Sequence, residues 1–210
     1  CDPVQFDVTL RYGDSTISGF QADGYVTRVI ALPEGTASGS PAGVRFDEDG
    51  SIRAVPTRIV QTEGKTVAFI SSPTNSMYGL IGVSRAPVAS GGHWAEPAIR
   101  SLESRYIVYR DEASDPGEVI RRGEFAAWIT RTLGISHTGV YRQEMFRDLD
   151  VSHPYTREIA AAYTYGILSG YPDGTFRPEK QITRQEAMIM YARAMAIAGI
   201  APGDPGRIEL

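Results

Sequence analysis

Cysteine is almost absent from this chain: Cys1 is the single one in 210 residues. A lone thiol closes no internal disulfide and fits no CxxC pattern, which excludes a disulfide scaffold and a thiolate metal or redox centre. Its position at the first residue fits a lipoprotein acyl-cysteine, a cloning boundary or a processed start alike. No apolar run approaches the roughly 20 residues of a membrane-spanning helix, and the stretch Ala187 to Ile200 is broken by Arg193. Basic excess is lacking too. Lys and Arg number 21 against 25 Asp and Glu, a formal net charge of -4, which argues against a phosphate-backbone partner such as DNA or RNA. Neither membrane insertion nor nucleic-acid binding is expected. No signal-peptide pattern occurs, so export has to be inferred from function.

Catalytic signatures are missing as well. The sequence has no HExxH zinc motif, no GxSxG elbow, no phosphate-binding GxxxxGK loop and no nucleophilic cysteine in context. Glycoside hydrolysis needs two apposed carboxylates, whereas the acidic pairs here cluster in turns or on repeat helices. The expectation is a chain that is not an enzyme and holds no cofactor and no metal.

What is present falls into two halves of different periodicity. Residues 1 to about 85 alternate with period two between Gly, Asp and Pro breaks, the pattern of half-buried antiparallel strands. Val4, Phe6, Val8 and Leu10 read as a first strand. Others are expected at Tyr25 to Leu32, Gly43 to Phe46, Ser51 to Ile59, Lys65 to Ile70 and Met77 to Val83. Asp49 and Gly50 between Val44–Phe46 and Ile52–Ala54 predict a hairpin turn. Asp47, Glu48 and Asp49 hint at calcium, but their spacing lacks the ligand set of a calcium loop. From Gly91 the spacing becomes helical, with faces marked by Trp94, Ile99 and Leu102; by Phe125, Trp128, Ile129 and Leu133; by Tyr155, Ile159 and Tyr163; and by Ala187, Tyr191, Ala194 and Met195. Ser90-Gly91-Gly92 is the expected boundary. The fold class predicted is α+β and multi-domain, an all-β sandwich or barrel followed by helical repeats.

The helical half repeats internally, which is decisive for its fold. His93 and His153, Ile99 and Ile159, and Ile107 and Ile167 are each 60 residues apart, while Arg122 and Arg184, Glu124 and Glu186, and Arg131 and Arg193 are each 62 apart. One unit is helix, loop, helix, and it occurs twice. In the second copy the first helix should end on a left-handed Gly166. The segment Gly170 to Phe176 should turn on Pro172-Asp173-Gly174 and return Phe176 to the core, and Thr183-Arg184-Gln185-Glu186 is a capping box. The first copy departs from this pattern: Arg121 replaces Thr183, leaving only a hydrophobic staple of Ile120 and Phe125, and Ala86-Pro87-Val88 stands where the second copy has Phe146-Arg147-Asp148.

Gly170 to Pro178 with Ile182-Thr183-Arg184-Gln185-Glu186, and more loosely Gly92-His93-Trp94-Ala95 with Ile120 to Phe125, resemble the S-layer homology family over about residues 91 to 199. Val55 to Tyr78 also resembles the β-domain that often precedes such repeats. The resemblance divides the chain into a β-domain at 1–89, a degenerate first repeat at 90–140, a second repeat at 141–200 and a connector toward a third at 201–210. It implies part of a pseudo-threefold prism that anchors a bacterial surface protein non-covalently to secondary cell-wall polymer, an anionic and often pyruvylated glycan. It also implies an extracellular location at the cell wall or S-layer. The other reading kept open is a protein–protein assembly module of the cell surface. An incomplete prism would leave an apolar face open to self-association.

For individual residues, two readings stand side by side. Arg184 and Arg122 fall at helix starts, where the dipole disfavours a cation unless something offsets it. A bound carboxylate or phosphate would do so, and so would an ion pair with a neighbouring Asp or Glu. Trp94, Tyr155 and Tyr171 either stack on sugar faces or pack in the core, and Asp148 and Gly170 complete the polymer-binding set that the resemblance implies. Thr183 and Glu186 are assigned to helix capping. His93 and His153 are expected as turn or cap residues.

Overall fold

The computed structural model describes residues 4–6, 10–12, 14–17, 25–32, 41–47, 50–62, 64–82, 92–109, 111–112, 115–136 and 145–200. Two compact units divide the chain, Cys1–Glu118 and Val119–Leu210. Strands and helices together make the chain α+β, as expected.

In the first unit the strands are β1 (Val4–Gln5), β2 (Leu10–Tyr12), β3 (Ser15–Ile17), β4 (Val26–Ala31), β5 (Ala42–Phe46), β6 (Ile52–Ala54), β7 (Thr57–Thr62), β8 (Lys65–Ser72) and β9 (Met77–Ile81). They pair antiparallel into a four-stranded sheet ordered β1-β9-β5-β6, a three-stranded sheet ordered β4-β8-β7 and the hairpin β2-β3. The expected first strand is therefore two strands: Val4 pairs with Tyr78, while Leu10–Tyr12 pairs locally with Ser15–Ile17. Val8 lies outside the described residues. Sequence alternation is the same for a strand that pairs locally and one that pairs across the domain, so it could not separate them. The expected β5–β6 hairpin forms, with Val44 opposite Ala54 and Phe46 opposite Ile52. Gly50 takes φ 79° and its N–H donates to the Asp47 carbonyl at 2.9 Å; Glu48 and Asp49 lie outside the described residues.

Leu32, Val55, Ala68, Ile70, Tyr78 and Leu80 form the apolar core of this unit, with Phe6, Ile30 and Ile59 against it. Two arginines enter it. Arg28 is 4% exposed; it donates to the carbonyls of Val26, Ser72 and Thr74 and to Asn75, and its guanidinium lies 4.8 Å from the Tyr78 ring centroid. Arg45 is paired with Asp47 at 2.6 Å, and Arg53 meets the other oxygen of the same carboxylate. Asp47, one of the residues that hinted at calcium, thus has both oxygens engaged by arginines. Burial pushes its carboxyl up, but the hydrogen bonds and charges of Arg45 and Arg53 outweigh that and hold it below the usual carboxylate range.

After these strands comes α1 (Glu96–Ser104), within the first unit; the second unit holds α2 (Arg122–Leu133), α3 (Thr156–Thr164) and α4 (Arg184–Ile197). Helix starts repeat with the offsets seen in the sequence, 60 for α1 and α3 and 62 for α2 and α4. Local hydrogen bonds repeat with them. His93 Nδ1 accepts from the Ala95 N–H at 3.2 Å and His153 Nδ1 from the Tyr155 N–H at 3.2 Å, so both histidines organise helix starts. Gly166 closes α3 at φ 70°, and Tyr106, its equivalent, closes α1 at φ 60°. The first copy therefore keeps a left-handed stop on a residue for which that conformation is costly.

α2 is buried along most of its length and packs against α3. Its Arg121 N–H donates to Glu124 at 2.7 Å, while the Arg121 side chain, which has no acceptor, turns to Glu179 at 2.8 Å. Half of the capping box survives. Around α3, Phe146, Leu149, Ile159, Ile167 and Phe176 are buried, and Phe146 lies 5.4 Å from Phe176 and 5.2 Å from Tyr163. α4 differs from its expected face: Met190 and Ala194 are its buried residues, and Tyr191 is 54% exposed.

Replacing Asp47 by Asn should destabilise the first unit by about 2 kcal/mol, because Arg45 is left buried without its counter-charge. The lowered carboxyl contributes stability above the unfolded carboxylate range and loses it as the pH falls through its own. Urea denaturation at neutral pH and at acid pH should therefore show a gap between the two proteins that closes in acid.

Candidate functional site

The site is built where the starts of α2 and α4 lie side by side in the second unit. Arg121 and Gln181 form an antiparallel bridge, Arg122 N–H donates to the Lys180 carbonyl at 2.9 Å, Gly123 N–H to the Pro178 carbonyl at 2.9 Å, and Ile182 N–H to the Ile120 carbonyl at 3.1 Å. Both helices thus begin at one place, each bringing the positive end of its dipole.

Beside them stands the loop from Gly170 to Pro178. Tyr171 N–H donates to the Thr175 carbonyl at 2.7 Å and Gly174 N–H to the Tyr171 carbonyl at 2.9 Å, so the Pro172-Asp173-Gly174 turn forms as the sequence predicts and Phe176 is fully buried. Gly170 is required by close approach: a Cβ there would stand 2.6 Å from the Phe146 ring and 2.9 Å from the Thr175 carbonyl. Asp148 holds the far side of the loop, its carboxylate accepting from the N–H groups of Phe176 at 2.8 Å and Arg177 at 2.7 Å. That grip keeps Arg177 at φ 59°, a conformation uncommon for a long side chain. The Asp173 carboxyl is lowered to about 2 by hydrogen bonds from the Thr175 hydroxyl, the Arg177 guanidinium and the Thr175 N–H.

Arg122 joins helix starts and loop. It is 4% exposed, donates from Nε to the Phe176 carbonyl at 3.1 Å, pairs with Glu186 at 3.0 Å and lies 4.8 Å from the ring centroids of both Tyr171 and Phe176. Tyr171 donates its hydroxyl to Glu186 at 2.6 Å and accepts from Lys180 at 2.9 Å; Arg177 covers its ring at 4.3 Å. Glu186 has a second job beyond the capping box, in which it accepts from the Thr183 N–H at 2.9 Å while Thr183 accepts from the Glu186 N–H at 3.2 Å. Burial pushes the Glu186 carboxyl up, yet the Tyr171 hydroxyl, the Thr183 N–H and hydroxyl, and the Arg122 charge together lower it to about 2.

The other expected residues fall apart from this network. Arg184, at the first position of α4, is exposed and makes no hydrogen bond or ion pair among the described residues. Tyr155 packs over Gly123, with the Arg131 guanidinium 5.7 Å from its ring. Trp94 belongs to the first unit; it precedes α1 rather than lying on it, and it is 86% exposed beside His93. Sequence reasoning missed Arg177, Lys180 and Glu179. The last accepts from His153 at 2.9 Å and from Arg121, and His153 leads Arg121 in holding its carboxyl below the usual range. A dense run of charge around Pro178, next to an aromatic loop, was the available signal for all three.

The geometry defines a module that presents ordered charges and aromatic rings at paired helix starts. The family model described as the S-layer homology domain matches residues 146–188. The chain is 32% identical over 169 residues to cell surface glycoprotein 1 of Acetivibrio thermocellus, covering 73% of this chain and 7% of that protein. It is 30% identical over 108 residues to the cellulosome-anchoring protein of the same organism, covering 49% and 24%. It is 31% identical over 103 residues to an endoglucanase of Bacillus sp. strain KSM-635, covering 48% and 10%. No solved structure matches. Residues 146–188 form an S-layer homology domain, and the chain's place is outside the cell, at the cell wall or S-layer. The chain spans a quarter or less of the length of these three relatives.

Glu186→Gln should destabilise the second unit by roughly 2–4 kcal/mol, since Arg122 would remain buried with its charge unmatched. A carboxyl lowered to about 2 contributes fully above the unfolded glutamate range and loses its contribution as the pH falls toward 2. Thermal melts from pH 7 to pH 2 should show the wild-type advantage disappear in acid, and an equal slope for both proteins would contradict it.

Proposed function

We propose that the helical part of this chain is a non-enzymatic anchor that binds secondary cell-wall polymer, an anionic glycan, with Arg184 as its principal contact. The carrying observation is the contrast between two equivalent arginines. Arg122 is buried and paired with Glu186; Arg184, 62 residues on, is exposed at the amino end of α4 with no partner among the described residues. A cation at the positive end of a helix dipole is unfavourable by a few tenths of a kcal/mol unless an anion is near, and the free amides of the first turn add donors for the same anion.

Arg122, Asp148, Gly170 and Tyr171 support this reading as the residues that hold the loop in shape, and Tyr155 and the exposed Trp94 offer aromatic faces to sugar rings. The names of the relatives fit it, one being an anchoring protein and another a surface glycoprotein. On this reading the two repeats are part of a pseudo-threefold prism, the strands of the first unit form a sandwich-like spacer, and the wall polymer is the partner. A second reading, assembly with other protein units, is favoured by the exposed apolar side chains of α4, and self-association would use the same face.

Retention on purified wall sacculi, with and without extraction of the polymer fraction, separates the two, since an anchor is held only on polymer-bearing walls. A hydrolysis assay on wall polysaccharide should stay flat. Arg184→Ala should weaken retention by roughly 2–5 kcal/mol while leaving the melting temperature unchanged. Thr183→Ala, which removes the cap, should cost about 1 kcal/mol of stability first. A lower melting temperature with unchanged retention for Arg184→Ala would give that residue to an ion pair.

A further inference from the structure

Two buried cations of the first unit end on one residue, Thr74. Arg28 and Arg45 are each 4% exposed. Arg28 Nη2 donates to the Thr74 carbonyl at 2.7 Å, and Arg45 Nη1 donates to the Thr74 hydroxyl at 3.4 Å. Arg45 shares the Asp47 carboxylate with Arg53. Arg28 meets no carboxylate among the described residues: its acceptors are three carbonyls and the Asn75 amide oxygen, and its buried Nε has none. Like charges brought this close in an interior repel each other unless an anion stands beside them.

The Thr74 hydroxyl is also oversubscribed. Besides Arg45 Nη1 it has Ser72 Oγ at 3.1 Å, the Tyr78 hydroxyl at 3.2 Å and Ser76 Oγ at 3.4 Å. A hydroxyl offers one proton and two lone pairs, so it can make three bonds with these four neighbours. Tyr78 gives its own proton to the Thr74 carbonyl at 2.6 Å. The Thr74 proton therefore goes to Tyr78, and Ser72, Ser76 and Arg45 compete for two lone pairs. The hydroxyl contacts are all longer than the usual O–H···O separation of about 2.8 Å. Thr74, Asn75 and Ser76 are only half-buried, which leaves the turn open to solvent.

We propose that this turn binds a phosphate group, free or as a monoester of a larger molecule. Its oxygens would take the donors that Thr74 cannot satisfy, from Ser72, Ser76 and Arg45, together with the Thr74 hydroxyl turned away from Tyr78; the Arg28 charge stands behind them. Donors that surround one tetrahedral oxygen come from several sides, which suits a tetrahedral oxyanion better than a planar carboxylate. The site belongs to the first unit and does not rest on the wall-polymer reading of α4.

The test titrates inorganic phosphate at constant ionic strength into the full chain carrying Arg184→Ala, so that the exposed cation of α4 cannot contribute. Amide NMR signals of Thr74, Asn75 and Ser76 should shift and saturate with a Kd of about 1 mM. Glycerol phosphate moving the same signals assigns the site to a phosphate ester, and a response to inorganic phosphate alone assigns it to the free ion. Ser76→Ala should weaken binding by about tenfold at an unchanged melting temperature. Arg45→Lys, which keeps the charge beside Asp47 but loses Nη1, should weaken it as well; should that variant fail to fold, Ser76→Ala decides. No saturable shift at these amides, or a shift undiminished in Ser76→Ala, would overturn the site. Acetate binding as tightly as phosphate would overturn the choice of a tetrahedral anion.

Discussion

The charge of Arg122 cannot be left in the interior of the second unit without acceptors, and much of the site's arrangement serves to provide them. Burying an unmatched guanidinium would cost several kcal/mol; here Glu186 supplies the opposite charge, the Phe176 carbonyl takes the remaining edge, and Tyr171 and Phe176 give their ring faces. Each of those partners is fixed by something else. Glu186 is held by the capping box, Phe176 by Asp148 gripping its N–H, and Tyr171 by the turn and by Lys180. One residue of α2 thereby fixes the loop of the following repeat and the start of α4 relative to one another.

The same reasoning explains why equivalent residues in the two copies behave differently. Local geometry is conserved: histidine Nδ1 caps, left-handed helix stops and glutamates bonded back to the N-cap N–H recur at fixed offsets. Surroundings are not conserved. α2 has α3 against it, so its arginines and small residues are interior; the equivalent residues of α4 are exposed. A side chain that clamps in one copy is available for other chemistry in the next, without any change in residue type.

In the first unit, too, buried arginines organise the polypeptide. Arg28 draws four acceptors from β4, the end of β8 and the turn that follows, and Arg45 and Arg53 converge on Asp47. Neither cluster carries an unsatisfied buried acidic group among the described residues. They are the polar frame of a small β-structure whose apolar core is modest, where charge-assisted hydrogen bonds add the specificity that packing alone gives incompletely.

Features that depend on residues within a few positions of one another were legible in the sequence. The helix starts at Arg122 and Arg184, the capping box of Thr183 and Glu186, the Pro172-Asp173-Gly174 turn, the Gly166 stop, the β5–β6 hairpin and the two-copy repeat all arise from interactions closed within a turn or two of chain. So did the family, because its motif is one of those local structures. What only the tertiary structure decided were the fates that depend on distant segments. Val4 pairs with Tyr78 across most of the first unit, Tyr191 and Trp94 are exposed although their spacing suggested a core face, and Arg122 is buried where Arg184 is exposed. Periodicity states which face of a helix is apolar and leaves open whether another element covers it, because burial is a property of two surfaces and a local pattern describes one.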